Sequence, residues 1–138
     1  MVEIKLEYLG DLRCKLTHGP SGTELITDAP KDNQGKGESF SPTDMVAGSL
    51  GACMMTIMGI MSRQHHIDLS GLKCRVEKEM VSEPERRIGK LTVTFDFARN
   101  YSDKEKLMLE RAAMSCPVHK SINHEVEMPV KFNYGLSS

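Results

Sequence analysis

Seventeen consecutive residues, Met45 to Met61, carry no charge, and a helix of that composition has no face it can leave in water. Ser41-Pro42-Thr43-Asp44 stands immediately before it. Serine is a strong N-cap, proline suits the first helical position because its missing N–H would be unpaired there, and an acid at the third position closes a capping box. His65-His66 follows, where histidine complements the negative end of a helix. A helix over residues 42–66 is therefore predicted, covered all round. A membrane span needs about 20 apolar residues, so the stretch reads as a core helix rather than a span.

On a helical wheel Gly48, Gly51, Ala52, Met55 and Gly59 fall together, and Ser49, Cys53, Thr56 and Ile60 lie roughly opposite. Each glycine costs about 1 kcal/mol of helix propensity relative to alanine. The small-residue stripe thus predicts a compensating close approach by another helix, in this subunit or a second one.

A length of 138 residues suits a single domain, residues 1–138, with one core. The 18 basic and 19 acidic residues are interspersed, and the chain has no tryptophan, which excludes the basic, aromatic footprint of a nucleic-acid binder. Met1-Val2-Glu3-Ile4-Lys5-Leu6-Glu7 reads as a strand and not as a signal region, so a cytoplasmic protein is expected. In that compartment the four cysteines are free thiols, metal ligands or redox groups rather than a disulfide framework.

Alternation marks strands around Ile4, Leu6 and Tyr8 and around Leu12, Cys14 and Leu16, with a turn at Gly10-Asp11 and a third strand near Thr23 to Thr27. Lys31 to Ser39 is polar and glycine-bearing, the composition of a mobile loop that could gate a site. After the helix, Leu72, Cys74 and Val76 and then Leu91, Val93, Phe95 and Phe97 predict a second hairpin. Ser102-Asp103-Lys104-Glu105 is another capping box, opening a helix with Leu107, Ala112 and Met114 as inward candidates. Cys116-Pro117 caps a short helix to about Asn123, and Val126 to Tyr134 closes as a strand with Pro129 at an edge or bulge. The expected class is α+β, in the order βββ-α-ββ-α-(short α)-β.

Cys14 and Cys74 sit at inward strand positions, where cysteine behaves as a small buried hydrophobe. Cys116 lies at a helix N-terminus, where free N–H groups favour a thiolate, and on these grounds it is the first candidate for the acidic thiol. Cys53, in mid-helix, needs a cation brought to it. Cys116-x-x-His119 also has the spacing of a metal-ligand pair, with His65, His66 and His124 elsewhere, but a structural zinc site takes two such pairs and no metal is expected. The same two residues could form a thiol–imidazole nucleophile for hydrolysis or acyl transfer, although no third residue is evident to orient the histidine.

Two segments, Ser41-Pro42-Thr43-Asp44-Met45-Val46-Ala47-Gly48-Ser49-Leu50-Gly51-Ala52-Cys53 and Ala112-Ala113-Met114-Ser115-Cys116-Pro117-Val118-His119-Lys120-Ser121, together resemble the OsmC/Ohr family of thiol-dependent hydroperoxide reductases. Their separation and the element order match over nearly the whole chain. The resemblance implies an intertwined homodimer with central helices packed between sheets, and Cys53 as peroxidatic and Cys116 as resolving thiol, which reverses the order read from the residues alone. It further implies small-molecule hydroperoxide substrates and an external dithiol or dihydrolipoyl-type reductant, with no flavin, haem or metal cofactor and no nucleic-acid or membrane partner.

The chain departs from the family in its activating pair. Characterised members use an arginine on an early strand or turn, held by a glutamate ten residues before the first cysteine. Here Thr43 occupies that position with Asp44 beside it, Thr17-His18-Gly19 lies near the arginine's place, and the nearest arginine is Arg13. Ten helical residues span about 15 Å, so such a group would serve a partner's sulfur. His18, Thr43 and Asp44 are left as candidate replacements, with His119 as a possible orienting group. Two functions are therefore carried forward: a peroxidase, or a non-catalytic or redox-sensing dimer that binds a small apolar or thiol ligand at its interface.

Overall fold

The computed structural model describes residues 1–136, and they fall into two compact units, one ending at Val46 and the other beginning at Ala47, with the division inside the long helix.

In the first unit β1 (Ile4–Gly10), β2 (Arg13–His18) and β3 (Glu24–Asp28) form an antiparallel meander in chain order. The first turn holds Gly10, Asp11 and Leu12 at φ 84°, 54° and 61°, and glycine and aspartate are residue types that tolerate this left-handed region. Leu6, Leu16 and Leu25 stand in register across the three strands. The expected alternation is present, but its apolar side is uncovered, with Leu6 67% and Leu25 51% exposed. The segment after β3 is not a free loop. A 3-10 turn at Lys31–Asn33 leads back so that the Glu38 amide donates to Asp28 Oδ2 at 3.0 Å and the Gly37 amide to the Ala29 carbonyl at 3.1 Å. A side chain at Gly35 would collide with the Ala29 carbonyl.

The long helix α1 (Pro42–His65) begins with the expected capping box: Asp44 N–H donates to Ser41 Oγ at 3.1 Å, and Ser41 N–H to Asp44 Oδ2 at 2.9 Å. It ends with His66 at φ 55° and the Ile67 amide on the Ser62 carbonyl at 2.9 Å, a Schellman closure built on histidine in place of glycine.

In the second unit β4 (Lys73–Val81), β5 (Arg87–Asp96) and β6 (Val130–Asn133) form a sheet in the order β4-β5-β6, with β4 and β5 antiparallel and β6 parallel to β5. Leu91, Val93, Phe95 and Phe97 from the central strand and its end meet Leu50, Met54 and Met58 of α1, all fully buried. Helix α2 (Asp103–Met114) adds Leu109 and Ala113. These two, one turn apart, set its rotation, and Leu107 and Met114 therefore face outward at 48% and 41% exposure, contrary to expectation. Helix α3 is the short Pro117–Ser121, ending before Asn123 because Ile122 is already extended. Strand β6 starts after Pro129, later than expected, and Pro129 contributes only its carbonyl, to the Val93 amide, as a residue without an N–H must.

Within the chain the glycine stripe of α1 is close-packed at one position, and against a strand. Only Gly51 among its glycines is close-packed, and against β4: a Cβ there would lie 2.9 Å from Val76 Cγ2 and 3.2 Å from Cys74 Sγ, whereas at Gly48 and Gly59 it would meet nothing. The helix is long and apolar enough to cross a membrane by composition alone, and a third of its most apolar window is buried inside the chain.

Candidate functional site

Cys53 sits mid-way along α1 on the side of the core, half-buried, and Cys116 is fully buried at the N-cap of α3. Two elements more than sixty residues apart thus bring their thiols near enough for Cys53 to act on the protonation of Cys116. The capping geometry at Cys116 is the expected one, with the His119 amide donating to Sγ at 3.4 Å. It does not dominate the electrostatics. Burial pushes the Cys116 thiol up and the neighbouring Cys53 adds to this, while the amides of His119 and Val118 pull the other way. The Cys116 thiol is thus held above its ordinary value, the opposite direction from the one its cap position alone predicts.

The remaining cysteines stay apart from this pair. Cys14 is half-buried, and Cys74, half-buried under Gly51, is pushed up to about 11 by desolvation, with Asp96 contributing. Neither is the fully buried group expected.

The candidate auxiliary residues have local duties. Asp44 and Thr43 belong to the start of α1, where Thr43 Oγ1 lies 3.2 Å from Ser41 Oγ. His18 is exposed and its Nδ1 is 2.6 Å from Ser21 Oγ, within its own turn. His119 reaches the Cys116 sulfur with its backbone amide, and its imidazole makes no hydrogen bond or ion pair among the described residues, so the thiol–imidazole pairing that hydrolysis needs is not formed. Among the described residues no group of three or more His, Cys, Asp or Glu could hold a metal ion.

Two features escaped the sequence reading. Arg13 is held by Glu38 at 2.8 Å and by the buried Asp28 at 3.5 Å, a strand arginine clamped by carboxylates fifteen and twenty-five residues before Cys53 instead of ten. The second is a groove of about 410 Å³ between α1, through Ile57, Ile60, Met61 and Gln64, and α2, through Met108, Arg111, Ala112 and Ser115. Both sets follow i, i+3, i+4, i+7, the spacing of one helix face. That spacing was readable; the pairing of the two faces was not.

An α+β chain with a dithiol joining a long core helix to a capped short one is a thiol protein by its site. The family described as OsmC-like protein matches residues 35–131. A crystal structure from Psychrobacter arcticus 273-4, provisionally assigned to the osmotic-stress-induced and detoxification response, is 43% identical, with 96% of each chain covered and a TM-score of 0.90. The fold is shared at lower identity by an organic hydroperoxide resistance protein OsmC from Legionella pneumophila (15% identity, 96% of each chain, TM-score 0.77). It is shared as well by the organic hydroperoxide resistance protein OhrB of Bacillus subtilis (14% identity, 96% and 97% covered, TM-score 0.68). No curated protein matches the sequence. The chain belongs to the OsmC-like family.

Proposed function

We infer that this protein reduces organic hydroperoxides, with Cys53 as the nucleophile and Cys116 as the resolving thiol. The feature that supports the reading is the placement of Cys53 of α1 and Cys116 at the N-cap of α3 on one core, close enough for Cys53 to help hold the Cys116 thiol above its ordinary value. The Cys53 thiolate attacks the outer oxygen of R–O–OH, breaking the O–O bond to give Cys53–SOH and an alkoxide that takes up a proton as R–OH. The Cys116 sulfur then displaces water from Cys53–SOH to form the disulfide. An external dithiol of the dihydrolipoyl type reduces the disulfide and is itself oxidised. The names of the Legionella and Bacillus proteins support a role in hydroperoxide resistance, and the provisional assignment of the 43%-identical relative supports a detoxification response.

The working unit on this reading is a homodimer in the cytoplasm. Supporting it are the uncovered apolar side of the β1-β2-β3 sheet and the open positions at Gly48 and Gly59 on α1, since exposed apolar patches mark interaction surfaces. Sedimentation should return twice the chain mass.

The chemistry is tested by treating reduced protein with cumene hydroperoxide while following free thiols and intact mass. Wild type should lose two thiols per chain, Cys116→Ser should accumulate a sulfenic acid at Cys53, and Cys53→Ser should be inert. Thiols that persist at millimolar hydroperoxide would overturn the peroxidase reading.

A further inference from the structure

Helix α3 is loosely anchored for an element that presents a thiol of the pair. None of its five residues is buried, and Val118, with Ile122 just beyond, packs only part-way onto the core. Its first turn hangs on a sulfur. Pro117 brings no N–H, and the His119 amide donates to Cys116 Sγ at 3.4 Å. Cys116 itself has no exposed surface. Cys53, by contrast, belongs to the 24-residue α1, where Leu50, Met54 and Met58 on either side of it are fully buried.

Both cysteines are free thiols. A disulfide replaces the contact distance between two sulfurs with a covalent bond, so at least one sulfur must move. Helix α1 is pinned by its core side chains, and shifting it would open cavities along its length. The Cys116 sulfur therefore travels, and it leaves the His119 amide as it does so. A helix this short has no further turns to make good the lost cap. The stretch it loosens has fixed ends. Ala113 is fully buried near the end of α2, and Glu127 is tied to β5 twice, its amide donating to the Gly89 carbonyl at 3.0 Å and its carbonyl accepting from the Leu91 amide at 2.8 Å. We propose that residues 116–122 are a redox latch, closed while the Cys116 thiol caps α3 and opened by the Cys53–Cys116 disulfide, so that a dithiol reductant reaches sulfur that is shut off in the reduced protein. The source of the disulfide rests on the peroxidase reading; the response of α3 to it does not.

The test oxidises reduced protein with diamide, a diazene that takes two electrons and two protons from the thiols and becomes a hydrazine, so no hydroperoxide is needed. Amide hydrogen exchange is then compared between the two states by NMR. In the oxidised protein the His119 amide should exchange about fivefold faster, the scale of a lost N-cap, with the Leu91 and Glu127 amides unchanged. Cys116→Ala removes the cap without a disulfide and should show the same faster exchange. Cys116→Ser keeps a good capping group and should leave His119 protected, with circular dichroism verifying the fold of both. Equal protection of residues 116–122 in the two oxidation states, faster exchange spread equally over β5, full protection of His119 in Cys116→Ala, or failure of diamide to join Cys53 to Cys116 overturns the latch. So does faster exchange in diamide-treated Cys53→Ser, which cannot form the disulfide. Opening under diamide in a protein whose thiols persist in cumene hydroperoxide would sink the peroxidase reading and leave the latch standing, whereas hydroperoxide turnover with α3 equally protected in both states would do the reverse.

Discussion

Replacing Gly51 with alanine sets two effects of known sign against each other. Alanine gains about 1 kcal/mol of helix propensity over glycine. The added methyl, however, would sit 2.9 Å from Val76 Cγ2 and 3.2 Å from Cys74 Sγ, whereas carbon atoms rest at about 3.5–4.0 Å. The backbones of α1 and β4 must separate, or Val76 must leave its rotamer, and overpacking of this kind costs about 1–3 kcal/mol. Gly59→Ala is the control on the same helix, because a methyl there meets nothing in the chain. Subtracting the two variants cancels the propensity gain, so Gly51→Ala should be less stable than Gly59→Ala by about 1–3 kcal/mol, near 4 °C in Tm per kcal/mol for a chain of this size. Denaturant unfolding at several protein concentrations measures the difference free of association. Val76→Ala removes the nearer of the two atoms, and in that background the loss at Gly51 should shrink. Equal stability of the two glycine variants, or a Gly51 effect indifferent to Val76, would refute the claim that α1 is glycine at this position because β4 approaches there.

Cys74, pushed up to about 11 by burial, should resist iodoacetamide at pH 8 and gain reactivity only as pH climbs towards that value, as mass mapping of alkylated cysteines would reveal; rapid labelling at pH 8 would contradict the packing under Gly51. The amide of Glu38 and the Arg13 guanidinium hold Asp28 below the usual carboxylate range, so its contribution to stability is present above about pH 3.9 and is lost as pH falls through its lowered value. Asp28→Asn should therefore speed hydrogen exchange at Glu38 relative to wild type at pH 7, with the two converging at low pH, and a difference that persists below pH 2 would exclude the carboxylate as its source.

Local signals were sufficient for the elements. Ser41 with Asp44 and Ser102 with Glu105 fix where α1 and α2 begin, since each box satisfies amides the helix cannot. The two-residue period of Leu91, Val93, Phe95 and Phe97 marks the central strand, and the pair of cysteine motifs was enough to indicate the family. Rotation was harder to read: on α2 Ala112 packs against the core as expected but Leu107 and Met114 do not, because Leu109 and Ala113 could be singled out only once the core they enter was known.

What the sequence determined by itself was therefore one-dimensional: the caps, the periods, the turns and the four thiols. Contacts between distant segments were decided by the tertiary structure. Gly51 faces β4, Arg13 is clamped by Glu38 and Asp28, and two helix faces with the same i, i+3, i+4, i+7 spacing close into one groove. The direction of the Cys116 shift was decided there too. A cap lowers a thiol's pKa through amides close by in sequence, whereas desolvation and the Cys53 sulfur act on Cys116 through space, and in the buried site those outweigh the cap.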